Sequence, residues 1–159
     1  MPILLVRHAH AGRRSAYKGD DRTRPLSKRG AAQARALVPL LAEYRPQRIL
    51  SSPYVRCFST VQPTAEALGL PVESIEELAE GHGEETIRLM ERMAGEAAVL
   101  CTHGDVALAV LEALRGAGDG DTPPRRLQKG EVWVIQSTGS QLVIVAHLRP
   151  QPAETSPEG

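Results

Sequence analysis

The sequence predicts an α/β fold: a three-layer sandwich with a mainly parallel central sheet, helices on both faces and an antiparallel C-terminal edge hairpin. Three observations predict it. Short segments apolar at every position, such as Ile3-Leu4-Leu5-Val6 and Ala97-Ala98-Val99-Leu100-Cys101, have the pattern of strands covered on both faces. Longer segments of helical period lie between them. The last two strand candidates, Val132 to Gln136 and Leu142 to His147, are joined by Ser137-Thr138-Gly139-Ser140, which has the turn chemistry of a hairpin.

Pro2 to Val6 forms the first strand and runs directly into Arg7-His8-Ala9-His10, so the first polar residues stand at its carboxyl end. A polar loop, Arg13 to Arg24, follows, and Ser27 is placed to N-cap a long helix with Ala32, Leu37, Leu40 and Leu41 as its apolar face. Arg48 to Ser51 reads as the second strand. Ser52-Pro53 then turns the chain into a helix from Tyr54 to Leu68, with Arg56 in its first turn and Pro63 as an interior kink point. A Glu-rich segment from Glu73 to Glu85 leads into a helix ending at Met93. The strand at 97–101 ends in Thr102-His103-Gly104, and a helix from Asp105 to Arg115 follows. Asp119-Gly120-Asp121-Thr122 superficially resembles an aspartate-nucleophile motif, but no apolar strand precedes it, so it reads as loop.

The chain of 159 residues is sized for one domain, expected over 1–149, with 150–159 as a flexible tail. Lys+Arg and Asp+Glu balance at 19 each, which argues against a nucleic-acid or acidic-membrane partner and makes any anion site local. The first apolar run is too short for a signal peptide or membrane span, so a cytoplasmic location is expected. Cys57 and Cys101 fall in core-type segments and read as reduced thiols. The free edge of the terminal hairpin offers a pairing surface, but nothing in the sequence requires a second subunit.

Three polar clusters, each after a strand, carry the chemistry: Arg7-His8, Ser51-Ser52-Pro53 with Arg56, and Thr102-His103-Gly104. Ligands of open α/β sheets bind outside the carboxyl ends of strands, so these clusters should converge. Two arginines and two histidines in one crevice suit phosphate, which guanidinium binds bidentately and a helix N-terminus favours. A neutral imidazole can attack phosphorus, and neighbouring cations should push His8 below the ordinary value of about 6.5. His103 and the arginines would neutralise the transferring oxygens. A leaving alkoxide needs a proton, for which Glu80 is the first candidate and Glu77 the second. Arg13, Arg14 and Lys18 read first as a solvated basic loop and second as contacts to the remainder of a polyanionic substrate.

These residues resemble the histidine phosphatase superfamily, also called phosphoglycerate-mutase-like, in its smaller branch. The carriers are Leu5-Val6-Arg7-His8-Ala9, Arg24-Pro25-Leu26-Ser27-Lys28-Arg29-Gly30, Ser51-Ser52-Pro53 with Arg56 and Thr60, and Thr102-His103-Gly104, which span most of the chain in order. Within the family the chain is most similar to phosphohistidine phosphatases of the SixA type, and Gly19-Asp20-Asp21 before Arg24 also resembles the phosphatase domain linked to Nudix domains in MutT-like proteins. The resemblance implies a metal- and cofactor-free phosphatase in which His8 carries the phosphoryl group and Arg7, Arg56 and His103, with Gly104 beside it, complete the pocket. The implied substrate is a phosphorylated small molecule or a phosphoprotein. If no acid assists, substrates with good leaving groups, such as phosphohistidine, are favoured.

Three other readings stand beside this one. A nucleotide-polyphosphate phosphohydrolase would use the same fold, and a non-catalytic phosphoryl-ligand module would keep the pocket without turnover. A metal-dependent hydrolase would use His8 and His10, an H-x-H pair whose members share a face on an extended chain.

Overall fold

The computed structural model describes residues 1–114, 125–139 and 141–151. Among these described residues, six strands and four α-helices follow in the order β1 (Ile3–Arg7), α1 (Lys28–Ala42), β2 (Arg48–Ser51), α2 (Val55–Leu68), β3 (Val72–Ser74), α3 (Gly83–Arg92), β4 (Ala98–Thr102), α4 (Gly104–Leu114), β5 (Val132–Thr138) and β6 (Gln141–Leu148). The sheet order is β3-β2-β4-β1-β5-β6. The first four of these strands are mutually parallel, and β5 and β6 run antiparallel as the terminal hairpin. The expected mainly parallel α/β sandwich with an antiparallel edge is the fold observed.

Both faces of the sheet are covered, which is why its central strands carry no polar alternation. Along β1, Ile3 and Leu5 enter a core with Leu89 and Met90 of α3 and Val110 and Leu111 of α4. Leu4 and Val6 point the other way, to Leu37 and Leu41 of α1 and Val61 of α2. Successive residues of one strand thus serve opposite helical layers.

Ser27 caps α1 as expected, its Oγ accepting from the Gly30 N–H at 3.0 Å. The buried face of α1 is Gly30, Ala34, Leu37 and Leu41 rather than the expected set, so Ala32 and Leu40 stand at its half-buried flank. Gly30 is required there, because a Cβ would fall 1.9 Å from the His10 carbonyl oxygen. Pro63 lies within α2, which continues to Leu68 and ends on Gly69 at φ 69°. The sequence reading missed β3, which falls in the Glu-rich segment. Helix α4 begins at Gly104, one residue before the expected start. Arg115, the Asp119–Thr122 stretch, Ser140 of the hairpin turn and the tail from residue 152 lie outside the described residues. No helix among the described residues is long and apolar enough to cross a membrane.

Candidate active site

Strands β2, β4 and β1 are parallel neighbours, with Arg7 paired to Thr102 and Ser51 to Cys101. That register brings His8, Ser52 and His103 to one edge of the sheet, immediately after the three strand ends. They open on a crevice of about 1340 Å3 lined by Arg7, His8, Arg56, Glu80, His103 and Gly104, among others.

His8 is buried, and its Nδ1 lies 2.8 Å from the Ala9 carbonyl oxygen. A carbonyl only accepts, so the proton sits on Nδ1 and Nε2 keeps its lone pair. Burial is the main cause that lowers the His8 pKa to about 3, and Arg56, Arg7 and Lys129 add to it against the Ala9 hydrogen bond. The ring is therefore neutral near pH 7. Thr60 Oγ1 accepts from the Ala9 N–H at 2.9 Å and donates to the Arg56 carbonyl at 2.6 Å, tying the residue after His8 to the first turns of α2.

His103 packs edge-on to His8, with ring centroids 5.6 Å apart, and to Tyr54 at 4.5 Å. Its Nε2 lies 2.9 Å from Ser52 Oγ, which also accepts from the Tyr54 N–H. Burial, then His8 and Arg56, push the His103 pKa down to about 2, so its 3.9 Å separation from Glu80 is not an ion pair. Two histidines neutral when folded, and titrating near 6.5 when unfolded, couple stability to pH. Between the folded and unfolded values the unfolded chain binds more protons, so stability falls as pH drops below about 6.5. At pH 5 the loss should be about 2 kcal/mol for each ring, read as a lower urea midpoint than at pH 7.5 that His103→Gln partly removes.

Arg7 is anchored by its NH1, which donates to the Leu127 carbonyl at 3.0 Å, while its buried Nε has no partner among the described residues. Gly104 leaves room for this guanidinium: a Cβ there would lie 2.7 Å from its Cζ. Since the obstructed atoms end a flexible side chain, Gly104→Ala should fold but displace Arg7. The expected cost is about a hundredfold in kcat/KM with an unchanged melting temperature, because small misplacements at a reacting centre are costly.

Arg56 is 1% exposed and donates to the Asp21 carbonyl oxygen at 2.8 Å, Asp21 Oδ2 at 3.0 Å and Glu80 Oε2 at 3.1 Å. Asp21 also accepts from Arg24 Nε at 2.9 Å, and Arg24 donates in turn to the Ala11 carbonyl at 2.8 Å. The loop before α1 is thus closed over Arg56 by ion pairs, and these arginines, more than offsetting burial, hold the Asp21 carboxyl below its ordinary value.

The remaining expected site residues divide. Arg13 and Arg14 stand at the crevice rim, and Arg14 donates to Glu80 at 2.6 Å. Lys18 is exposed and does not line the crevice. Glu77 is turned away, pairing with Arg92 at 2.9 Å, which corrects its candidacy as an acid. His10 also faces away: its Nδ1 lies 2.7 Å from Ser27 Oγ at the start of α1, so the H-x-H pair does not act as one ligand set. No group of three or more His, Cys, Asp or Glu side chains is arranged to hold a metal among the described residues.

Sequence reasoning missed the contribution from the 127–131 turn. Lys129 and Arg126 line the crevice mouth, both exposed. The turn is fastened to the end of β1: Gly130 N–H donates to the Arg7 carbonyl at 3.0 Å and Arg7 N–H to the Glu131 carbonyl at 3.1 Å. Glu131, mostly buried, accepts from Gln128 N–H at 3.0 Å and pairs with His147 and Arg149. No apolar period or strand end marks this turn in the sequence, so only the fold reveals it.

Comparison with known proteins agrees with this arrangement. Residues 3–87 match the family described as the histidine phosphatase superfamily (branch 1). An 8-oxo-(d)GTP phosphatase of Mycolicibacterium smegmatis is 39% identical over 93% of this chain and 48% of its own, so the chain spans about half that relative's length. Among solved structures, SixA of Agrobacterium tumefaciens is 27% identical with a TM-score of 0.76, covering 94% of this chain and 98% of its own. The protein histidine phosphatase SixA in complex with tungstate, 23% identical over 94% of this chain and 97% of its own, shares the fold with a TM-score of 0.75.

Proposed function

This chain belongs to the histidine phosphatase superfamily, and on that premise we propose that it hydrolyses a phosphorylated substrate, without a metal, through a phosphohistidine formed on His8. The observation that carries the reading is the His8 ring itself: neutral, with Nδ1–H held by the Ala9 carbonyl and Nε2 left as a lone pair among the cations of the crevice. Nε2 attacks phosphorus, a P–N bond forms, and the P–O bond to the leaving group breaks with its electron pair. Water then attacks the phosphohistidine and returns the neutral imidazole. Arg7 and Arg56 bind the transferring oxygens, and His103 contributes a further donor. The Ser52 hydroxyl, an acceptor from the Tyr54 N–H, shares a 2.9 Å hydrogen bond with His103 Nε2 and so orients the second imidazole toward His8.

Glu80 serves this site chiefly by orienting Arg56. Its Oε2 already accepts from Arg14 and Arg56, a geometry that suits an acceptor better than a proton donor. Glu80→Gln should therefore lower turnover of p-nitrophenyl phosphate and of an alkyl phosphate in the same proportion, about tenfold. A loss confined to the alkyl ester would instead make Glu80 the general acid.

The likeness to Agrobacterium SixA supports phosphohistidine as one substrate class, and the 8-oxo-(d)GTP phosphatase relative supports nucleotides as another. A cytoplasmic location fits either. The test is turnover of p-nitrophenyl phosphate in EDTA with tungstate as a competitive inhibitor. Full activity in chelator and competition by the oxyanion are expected; activity restored only by added divalent metal would refute the metal-free mechanism.

A further inference from the structure

The crevice is much larger than one phosphoryl group requires, and its chemistry changes along its length. Pockets that bury a whole small ligand span about 300–1,000 Å3, and this one reaches about 1340 Å3. At one end stand Arg7, His8, Arg56 and His103. From there the crevice follows α4, whose Gly104, Ala107, Leu108 and Leu111 recur at helical spacing on the lining face. Seven residues of helix advance about 10 Å, so the lining continues well past the phosphoryl centre. It does so as an apolar wall completed by Leu127 and Trp133.

Two further features define what fits there. The indole of Trp133 is fully buried, and its Nε1 donor has no partner among the described residues. Such a donor suits a ligand that is flat and apolar on its faces but carries ring or carbonyl acceptors at its edge. Cations also remain at the mouth: Arg126 and Lys129 join Arg13 and Arg14, with Glu80 and Asp105 as the only acidic side chains among the described lining residues. In a chain of zero formal net charge, that local excess calls for more negative charge than one phosphate brings.

We infer that Leu108, Leu111, Leu127 and Trp133 form a nucleobase subsite, with Arg126 and Lys129 binding the inner phosphates, so that the substrate is a nucleoside di- or triphosphate losing its terminal phosphoryl group. This rests on the phosphatase reading and specifies its substrate. Nε2 of His8 takes the terminal phosphorus, and the bridging P–O bond breaks with its electrons on the departing nucleotide. Water then releases inorganic phosphate from His8. The leaving group is a phosphate oxygen that departs as an anion, so the step needs no proton from Glu80. A phosphoprotein fits less well, because Leu111, Leu127 and Trp133 line the crevice while at most 3% exposed, below the reach of a folded protein surface.

The experiment compares kcat/KM for GTP, GDP, ATP and ADP with those for p-nitrophenyl phosphate and a phosphohistidine-bearing protein, all in EDTA. It uses wild type, Leu108→Glu and Arg126→Ala; Arg126 is exposed, so the second variant should fold even if the first does not. At least one nucleotide should exceed p-nitrophenyl phosphate tenfold or more, releasing inorganic phosphate, and Arg126→Ala should lower the ratio of nucleotide to p-nitrophenyl phosphate about tenfold. Turnover of p-nitrophenyl phosphate or phosphohistidine with no preference for nucleotides, or a variant that lowers all substrates equally, would overturn the subsite while leaving the phosphatase standing. No turnover of any substrate by folded wild-type protein would overturn both.

Discussion

His8→Ala should abolish turnover, lowering kcat by about four orders of magnitude or more, as removal of a covalent nucleophile does elsewhere. The fold should survive, because the lost ring hydrogen bond is a local one to Ala9, and the backbone is held independently by the His8 N–H bond to the Thr102 carbonyl at 3.0 Å. Losing a ring that must stay neutral should also make the variant less sensitive to acid than wild type. Binding of tungstate should persist, since Arg7, Arg56 and His103 remain. Steady-state kinetics on four to five decades of enzyme concentration, with tungstate binding by calorimetry, would separate lost chemistry from a lost pocket. A variant retaining a tenth of wild-type kcat would remove His8 from the mechanism.

Arg56 has the next largest expected effect, and it acts on both catalysis and architecture. Arg56→Ala removes a donor fork from the transferring oxygens, worth about 10² to 10³ in kcat by analogy with single oxyanion donors. It also takes from Asp21 and Glu80 the buried one of the two arginines that join them. Both carboxylates retain partial exposure and Arg14, so the loop before α1 should loosen rather than the core unfold. Arg56→Lys keeps the charge but loses the planar fork. It should restore stability while remaining at least tenfold below wild type in kcat, and equal recovery of both would point to a purely structural arginine.

The residues legible in the sequence are those whose chemistry coincides with a strong local pattern. Arg7, His8 and His103 each follow a continuous apolar strand, and the parallel order β2-β4-β1 makes three strand ends into one crevice. Arg56 was legible because Ser52-Pro53 announces a helix start. The short strand β3 was not: only Val72 is apolar among its three residues, and Glu73 within it pairs with Arg48 at 2.7 Å, so edge position and ion pairing replace apolar burial. The α1 face shifted because Gly30 must approach His10, a contact set by tertiary packing. Glu77 and Glu80 lie three residues apart in one acidic run, and only the course of the chain beyond β3 decides that one meets Arg56 and the other Arg92. Asp21, Arg126 and Lys129 come from loops without periodicity, where residue type says little until the fold brings the loop to the site.

The central claim is that phosphate passes through the His8 ring, and trapping it is the most direct test. Wild-type protein mixed briefly with a phosphorus-labelled substrate in EDTA and quenched in alkaline denaturant should carry base-stable, acid-labile label on His8, absent from His8→Ala. Label on another residue, label that persists in His8→Ala, or full turnover with no phosphoenzyme under rapid quench would contradict the account.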